Sequence, residues 1–274
     1  MLMIRKVTLI FAICLLSAVG VLAQGSTITP GNLSKPEVDA MVAKFTANEA
    51  SFRQALTDYV FNRYATISTL GLGGQTTGVY RRDSFMTITS DGKRFEKITF
   101  SPMSTLTEIS ITPEDLEDLG GVNPFALEPR NVSQYNFNYL GKEKIDELNL
   151  HVFEVTPKVM PNPKSGIRLF TGRIWVDDED MMIVKSKGKA VPETKDNKFP
   201  VVETWRENVD GKYWFPSFAS ADDQLVFDSG QVVRMRMRVK YADYKMGRSD
   251  VIVGDAEDIS DRPQPAASPT PKKP

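Results

Sequence analysis

Residues equipped for chemistry are few in this 274-residue sequence. The single histidine, His151, sits in Leu148-Asn149-Leu150-His151-Val152-Phe153. An imidazole that titrates near neutral pH can act as general base to a serine. No Gly-x-Ser-x-Gly elbow singles out such a serine, and the surrounding pattern predicts a half-exposed strand histidine. With one histidine, and one cysteine that lies in the leader, a zinc centre would need several carboxylates, so neither metal nor cofactor is expected. Asp177-Asp178-Glu179-Asp180 is the densest acidic run. It lacks the alternating ligands and central glycine of a calcium loop and reads as a solvated turn between strands. Glu114, Asp115, Glu117 and Asp118 open a short helical pattern, where acids complement the helix dipole. A carboxylate pair for glycoside hydrolysis is a matter of spatial separation, and nothing in the spacing points to one. No catalytic residue is assigned.

Two further groups invite a functional reading. Arg234, Arg236, Arg238 and Lys240 alternate along one segment and would suit the phosphates of lipid head groups. Like charges along one strand repel, so acids on neighbouring strands, such as Glu203 or Glu207, are expected to balance them. The result would be a salt-bridged solvent face that discourages edge pairing. Gly71-Leu72-Gly73-Gly74 lacks the lysine of a phosphate loop and reads as a flexible helix-to-strand connection.

The elements that must carry these residues follow from periodicity. Ser34-Lys35-Pro36-Glu37 matches a capping box with proline in the first turn. Apolar residues then recur every three or four positions from Val38 through Met41, Phe45, Phe52, Leu56, Tyr59 and Tyr64 to Ile67. This spacing predicts one amphipathic helix of about 30 residues. Beyond Gly74 the period changes to two. Strands are expected over Gly78–Thr89, Arg94–Phe100, Tyr135–Tyr139, Leu148–Thr156, Arg168–Val176, Met182–Lys187, Val201–Asn208, Lys212–Ala219, Gln224–Phe227 and Gln231–Tyr241. Asp91-Gly92, Asp210-Gly211 and Asp228-Ser229-Gly230 supply hairpin turns. Thr112 is the expected cap of a short helix over Pro113–Leu119. Hairpins without intervening helices make an antiparallel meander. The fold class is therefore mainly β (α+β), with a long N-terminal helix and a short one against a curved sheet. In the last strand Met235, Met237, Val239 and Tyr241 face apolar material, and the basic residues face water.

The ends frame this domain. Arg5 and Lys6, the apolar run Val7–Leu22 and Val21-Leu22-Ala23 make a secretory signal over residues 1–23, cleaved after Ala23. The run is about 16 residues, shorter than the roughly 20 of a spanning helix. The bulky Ile13 before Cys14 argues against lipidation, so cleavage removes the only cysteine and leaves no transmembrane segment. A periplasmic or otherwise exported location follows. Removing Arg5 and Lys6 leaves 32 basic against 35 acidic side chains, a balance that offers nucleic acid no attraction. Residues 24–33 read as a flexible lead, 34–259 as the β domain, and 260–274 as a disordered proline-rich tail.

The apolar inventory then suggests a ligand. Nine methionines outside the leader, with Trp175, Trp205 and Trp214, suit an adaptable apolar interior. A long apolar helix beside a curved antiparallel sheet can enclose a cavity. Met235, Met237, Val239 and Tyr241 are candidates for its wall, and Phe45, Phe52, Leu56 and Tyr59 for a lid or plug.

Gly172-Arg173-Ile174-Trp175-Val176-Asp177, the acidic turn and Met182-Ile183-Val184-Lys185 resemble a hairpin of the bacterial lipoprotein-carrier superfamily. Asp210-Gly211-Lys212-Tyr213-Trp214-Phe215-Pro216 is similar to a second hairpin of that family. The order of elements over residues 34–245 also resembles it. The resemblance implies an incomplete β-barrel, with helices as lid and plug, that holds acyl chains in its interior. The chain departs from the pattern in an extra stretch around Thr105–Arg130. The family's cavity arginine has no clear counterpart, and Arg81, Arg82 and Arg94 are the candidates. The expected function is a non-enzymatic binding or carrier protein for lipid acyl chains or lipoproteins. An envelope sensor binding a protein partner is the alternative, and a carboxylate-based hydrolase ranks third.

Overall fold

The computed structural model describes residues 28–88, 94–112, 115 and 127–247. The expected export signal, the first part of the expected lead, the expected Asp91-Gly92 turn, the expected Pro113–Leu119 helix apart from Asp115, and the expected tail from residue 260 lie outside the described residues. The chain begins with β1 (Thr29–Pro30), a two-residue strand within the expected lead, and α1 (Lys35–Leu56). Three strands follow, β2 (Tyr59–Leu70), β3 (Thr76–Ile88) and β4 (Arg94–Phe100). The remainder is a meander of β5 (Tyr135–Ile145), β6 (Leu148–Pro157), β7 (Leu169–Asp177), β8 (Ile183–Val191), β9 (Val202–Val209), β10 (Tyr213–Val226) and β11 (Val232–Met246). All eleven form one sheet in the order β1-β5-β6-β7-β8-β9-β10-β11-β2-β3-β4. Its pairs are antiparallel throughout, and its edges do not join into a barrel.

The helix is where sequence and structure part. Its start follows the capping signal: the Glu37 carboxylate accepts from the Ser34 amide at 2.7 Å. Its end comes at Leu56, after 22 residues. A helix of that length spans about 33 Å. The path from β5, which β1 joins, to β2 is seven inter-strand steps, about 34 Å along the sheet. Thus α1 crosses the concave face once and delivers the chain to β2. The N-terminal half packs Val42 and Phe45 on β5–β8, and the C-terminal half packs Phe52, Ala55 and Leu56 on β2, β10 and β11.

Tyr59, Tyr64 and Ile67, expected on the helix, belong to β2. The strand buries every second residue, giving the inward series Tyr59, Phe61, Arg63, Ala65, Ile67 and Thr69. Arg63 hides this alternation from sequence reasoning, because an arginine is an improbable inward residue until a partner is known. The partner is Glu96 on β4, which Arg63 meets through Nη2. Glu96 also accepts from Arg82 Nε at 2.9 Å and Nη2 at 2.8 Å. Burial pushes the Glu96 carboxyl up, but hydrogen bonds from Arg82 and Ser84 and the charge of Arg63 outweigh it and hold it low.

Other local expectations shift in the same way. Gly71–Gly74 makes the β2–β3 hairpin turn and joins no helix. Lys212–Ala219 and Gln224–Phe227 merge into the single strand β10. Asp210 and Gly211 take the positive φ angles, 54° and 67°, expected of their turn. The run Asp177–Asp180 is less solvated than expected. Asp177 is buried and accepts from the Glu179 and Asp180 amides; burial pushes its carboxyl up against those two bonds. Asp180 accepts from the Trp214 indole at 2.9 Å.

His151 is buried, 8% exposed, with the Tyr139 hydroxyl 3.2 Å from its Nδ1. It is not the half-exposed residue predicted, because Tyr139 on β5 and Phe153 beside it on β6 close over that stretch of sheet. Burial, and then the Lys142 charge, push its pKa below the ordinary value, with Asp178 opposing. The unfolded chain therefore binds a proton first as pH falls below about 6.5, so stability falls with pH in that window. Chemical denaturation of wild type and His151→Gln between pH 7.5 and 5.5 should show the extra slope in wild type only.

Candidate functional site

A cavity of about 400 Å³ lies on the sheet face opposite the basic residues of β11. Its wall is built by alternation. Met235, Met237, Val239 and Tyr241 project from β11 into it, each at most 7% exposed. Ile67 of β2 lies beside them, because Met237 and Ile67 are cross-strand partners. Ala219 and Leu225 of β10 extend the wall on the other side. Val202 and Thr204 of β9 and Ala190 of β8 complete it. Small residues at Ala190 and Ala219 leave the volume that larger ones would fill.

Two loops roof this wall. Residues 108–111 contribute Ile109 and Ile111, and residues 195–200 contribute Phe199 and Pro200. Neither loop has a periodic signal, so sequence reasoning missed them; the first lies within the stretch seen only as an insertion. Both are tied down by hydrogen bonds. Gln231 donates to the Glu108 carbonyl at 3.2 Å and Thr77 to its carboxylate at 3.0 Å. The Phe199 amide donates to Glu193 at 3.2 Å, and Arg168 lies 4.8 Å over the Phe199 ring. The Asp115 amide donates to the Thr112 hydroxyl at 3.2 Å, and Asp115 lines the mouth. Charged residues at the rim include both signs, Lys195 and Lys198 with Glu108 and Asp196.

Phe45, Phe52, Leu56 and Tyr59 are placed elsewhere. They are absent from the cavity lining and fill the space between α1 and the sheet. Phe45 packs on Phe137 and Phe153 at centroid distances of 5.8 and 5.5 Å. Phe52 and Tyr59 both pack on Phe215. The Tyr59 hydroxyl donates to Asp210 at 2.7 Å, and burial, reinforced by Asp210, pushes its pKa up to about 12. The concave face is thus closed by the helix over one part and hollow over the other.

A buried ion pair holds that division. Glu49 of α1, fully buried, receives Arg206 of β9 at 2.6 and 3.0 Å. Arg206 also donates to the Ile183 carbonyl at 3.1 Å and lies 4.6 Å from the Phe52 ring centroid. Among the arginines proposed for the interior, Arg81 binds Asp83, Arg82 binds Glu96, and the Arg94 side chain is outside the described residues. Sequence reasoning passed over Arg63 and Arg206, whose inward placement shows only once β2 and β9 are paired. No group of three or more potential metal ligands occurs among the described residues, and none of their helices is long and apolar enough to cross a membrane.

No family model matches the sequence, and no curated protein matches it. Solved structures do. A DUF1329 family protein from Desulfovibrio piger is 14% identical, with 78% of this chain and 95% of that one covered, at a TM-score of 0.38. A LolA superfamily protein from Nitrosomonas europaea is 14% identical over 76% and 94% of the two chains, at 0.34. A protein described as an outer membrane lipoprotein-sorting protein domain, from Vibrio parahaemolyticus, is 14% identical over 74% and 93%, at 0.35.

Proposed function

We propose that this chain is an exported, non-enzymatic binding or carrier protein for lipid acyl chains or lipoproteins. The observation that carries the reading is the cavity of about 400 Å³ with methionine, valine, leucine and alanine on its wall. That size falls in the range of small-molecule sites, which are concave and mostly apolar. Each ligand methylene buried there contributes about 0.8 kcal/mol, and methionine adapts to chains of differing length and branching. The rim, with lysines and acids together, leaves the polar end of an amphiphile in water. The secretory signal over residues 1–23 supports an envelope location.

The test is direct. The mature protein, purified from envelope extracts, should carry co-purifying lipid in native mass spectrometry and should bind a fluorescent fatty acid after delipidation. A protein that stays free of lipid and binds no fatty acid would sink the reading.

A further inference from the structure

The basic residues of β11 were expected to be neutralised by Glu203 or Glu207, and the structure places Glu203 elsewhere. Glu203 lies 3.4 Å from Lys185 and 3.3 Å from Lys187, on the far side of β10. Register fixes what flanks the stripe. Arg234, Arg236, Arg238 and Lys240 face Gln224, Asp222, Ser220 and Phe218 on β10. On β2 they face Leu70, Ser68, Thr66 and Tyr64. Among these facing residues Asp222 is the one carboxylate, and it meets two of the four cations, at 2.8 Å from Arg236 and 3.8 Å from Arg238. Arg234 donates to the Leu72 carbonyl and Arg238 to the Ala221 carbonyl, contacts that leave their charge in place. The side chains of Arg236 and Arg238 stay 48% and 43% exposed.

A second row crosses the first. At the level of Lys240, pairing aligns Trp205, Phe218, Lys240 and Tyr64 across four adjacent strands. Phe218 and Tyr64, on either side of Lys240, are 38% and 40% exposed. Half-exposed aromatics beside basic side chains, on the sheet face away from the cavity, match the chemistry of a bilayer interface, where amphipathic rings sit at head-group depth and lysine and arginine meet phosphate. An acidic protein would satisfy the charge but not use the aromatic row. Without Arg5 and Lys6 the chain carries 32 basic against 35 acidic side chains, so an anionic surface repels it as a whole and attracts this face, which fixes the orientation of approach.

We propose that the convex face centred on Lys240, with Arg234, Arg236, Arg238, Phe218 and Tyr64, docks on an anionic phospholipid surface. The contact stands apart from the cavity, which lies on the opposite face of the same strands. Binding is weak and reversible, since each basic group near a charged bilayer contributes only about a five-fold gain in affinity.

The full mature chain is tested by flotation with vesicles of phosphatidylglycerol and phosphatidylethanolamine, against vesicles of phosphatidylcholine alone. Binding is expected to the anionic vesicles only and to fade as salt rises from 50 to 500 mM. Arg236→Ala with Arg238→Ala should weaken it about 25-fold, while Arg236→Lys with Arg238→Lys retains it. Phe218→Ser with Tyr64→Ser should weaken it at unchanged salt dependence. Circular dichroism melting verifies that each variant folds. Absence of binding to anionic vesicles, equal binding by the alanine pair, or capture by a poly-glutamate peptide in place of vesicles overturns the proposal. Fatty-acid binding by the alanine pair should equal wild type, which separates this contact from the cavity.

Discussion

Replacing Glu49 with alanine is expected to lower the unfolding free energy by about 3–5 kcal/mol, because the change strands a buried guanidinium. In a domain of this size that corresponds to a fall in melting temperature of about 10 °C. Arg206 is held by both Glu49 oxygens, the Ile183 carbonyl and the Phe52 ring, and its side chain is only 10% exposed. The charge, not the lost contact, dominates the cost. Glu49→Leu with Arg206→Met should recover most of the loss, since a packed apolar pair replaces a buried ion pair at little cost. Urea denaturation of Glu49→Leu, Arg206→Met and the double closes the cycle. Near-additive losses would mean that the pair does not hold the helix to the sheet.

Filling the cavity should have the largest effect on ligand binding. Met237 is the centre of the β11 series and the cross-strand neighbour of both Ile67 and Ala221. An arginine there is close to methionine in size and acts by setting a charge in the apolar wall; if that displaces about four ligand methylenes, about 3 kcal/mol of burial is lost, which is roughly a 200-fold rise in Kd. Because Met237→Arg also places a charge against apolar neighbours, Ala219→Phe serves as a neutral second variant. Its ring enters space that is already empty, so it should leave stability within about 1 kcal/mol of wild type and still block a fluorescent fatty acid. Titration of the probe into both delipidated variants reads the effect. Unchanged affinity in Ala219→Phe would show that the acyl chain does not enter between β10 and β11.

How much of this was legible in the sequence depends on the range over which each feature is decided. The two faces of β11 were legible because alternation over Arg234–Tyr241 is written in adjacent residues. The four apolar members of that series do line the cavity. The α1 start and the Asp210-Gly211 turn were legible for the same reason: a cap and a positive φ are settled within four residues. The boundary between helix and strand after Leu56 was not. Apolar residues at 59, 60, 64 and 67 suit either period, and the inward row of β2 contains Arg63, whose burial depends on Glu96, 33 positions away.

The site divides along the same line. Local pattern determined that this is a mainly β chain with a capped first helix, an apolar inner face and a basic outer face. Tertiary structure decided where the inner face is filled and where it is hollow. Phe45, Phe52, Leu56 and Tyr59 are apolar enough for either role, and the single crossing of α1, anchored by Glu49 on Arg206, commits them to the filled part. The roof from residues 108–111 and 195–200 has no period because its positions are set by single hydrogen bonds to β3, the β10–β11 turn and Glu193. The unbalanced charge on the convex face is likewise a product of register. Alternation puts four basic residues on one side of β11, but only strand pairing determines that Asp222, and not Glu203 or Glu207, stands next to them.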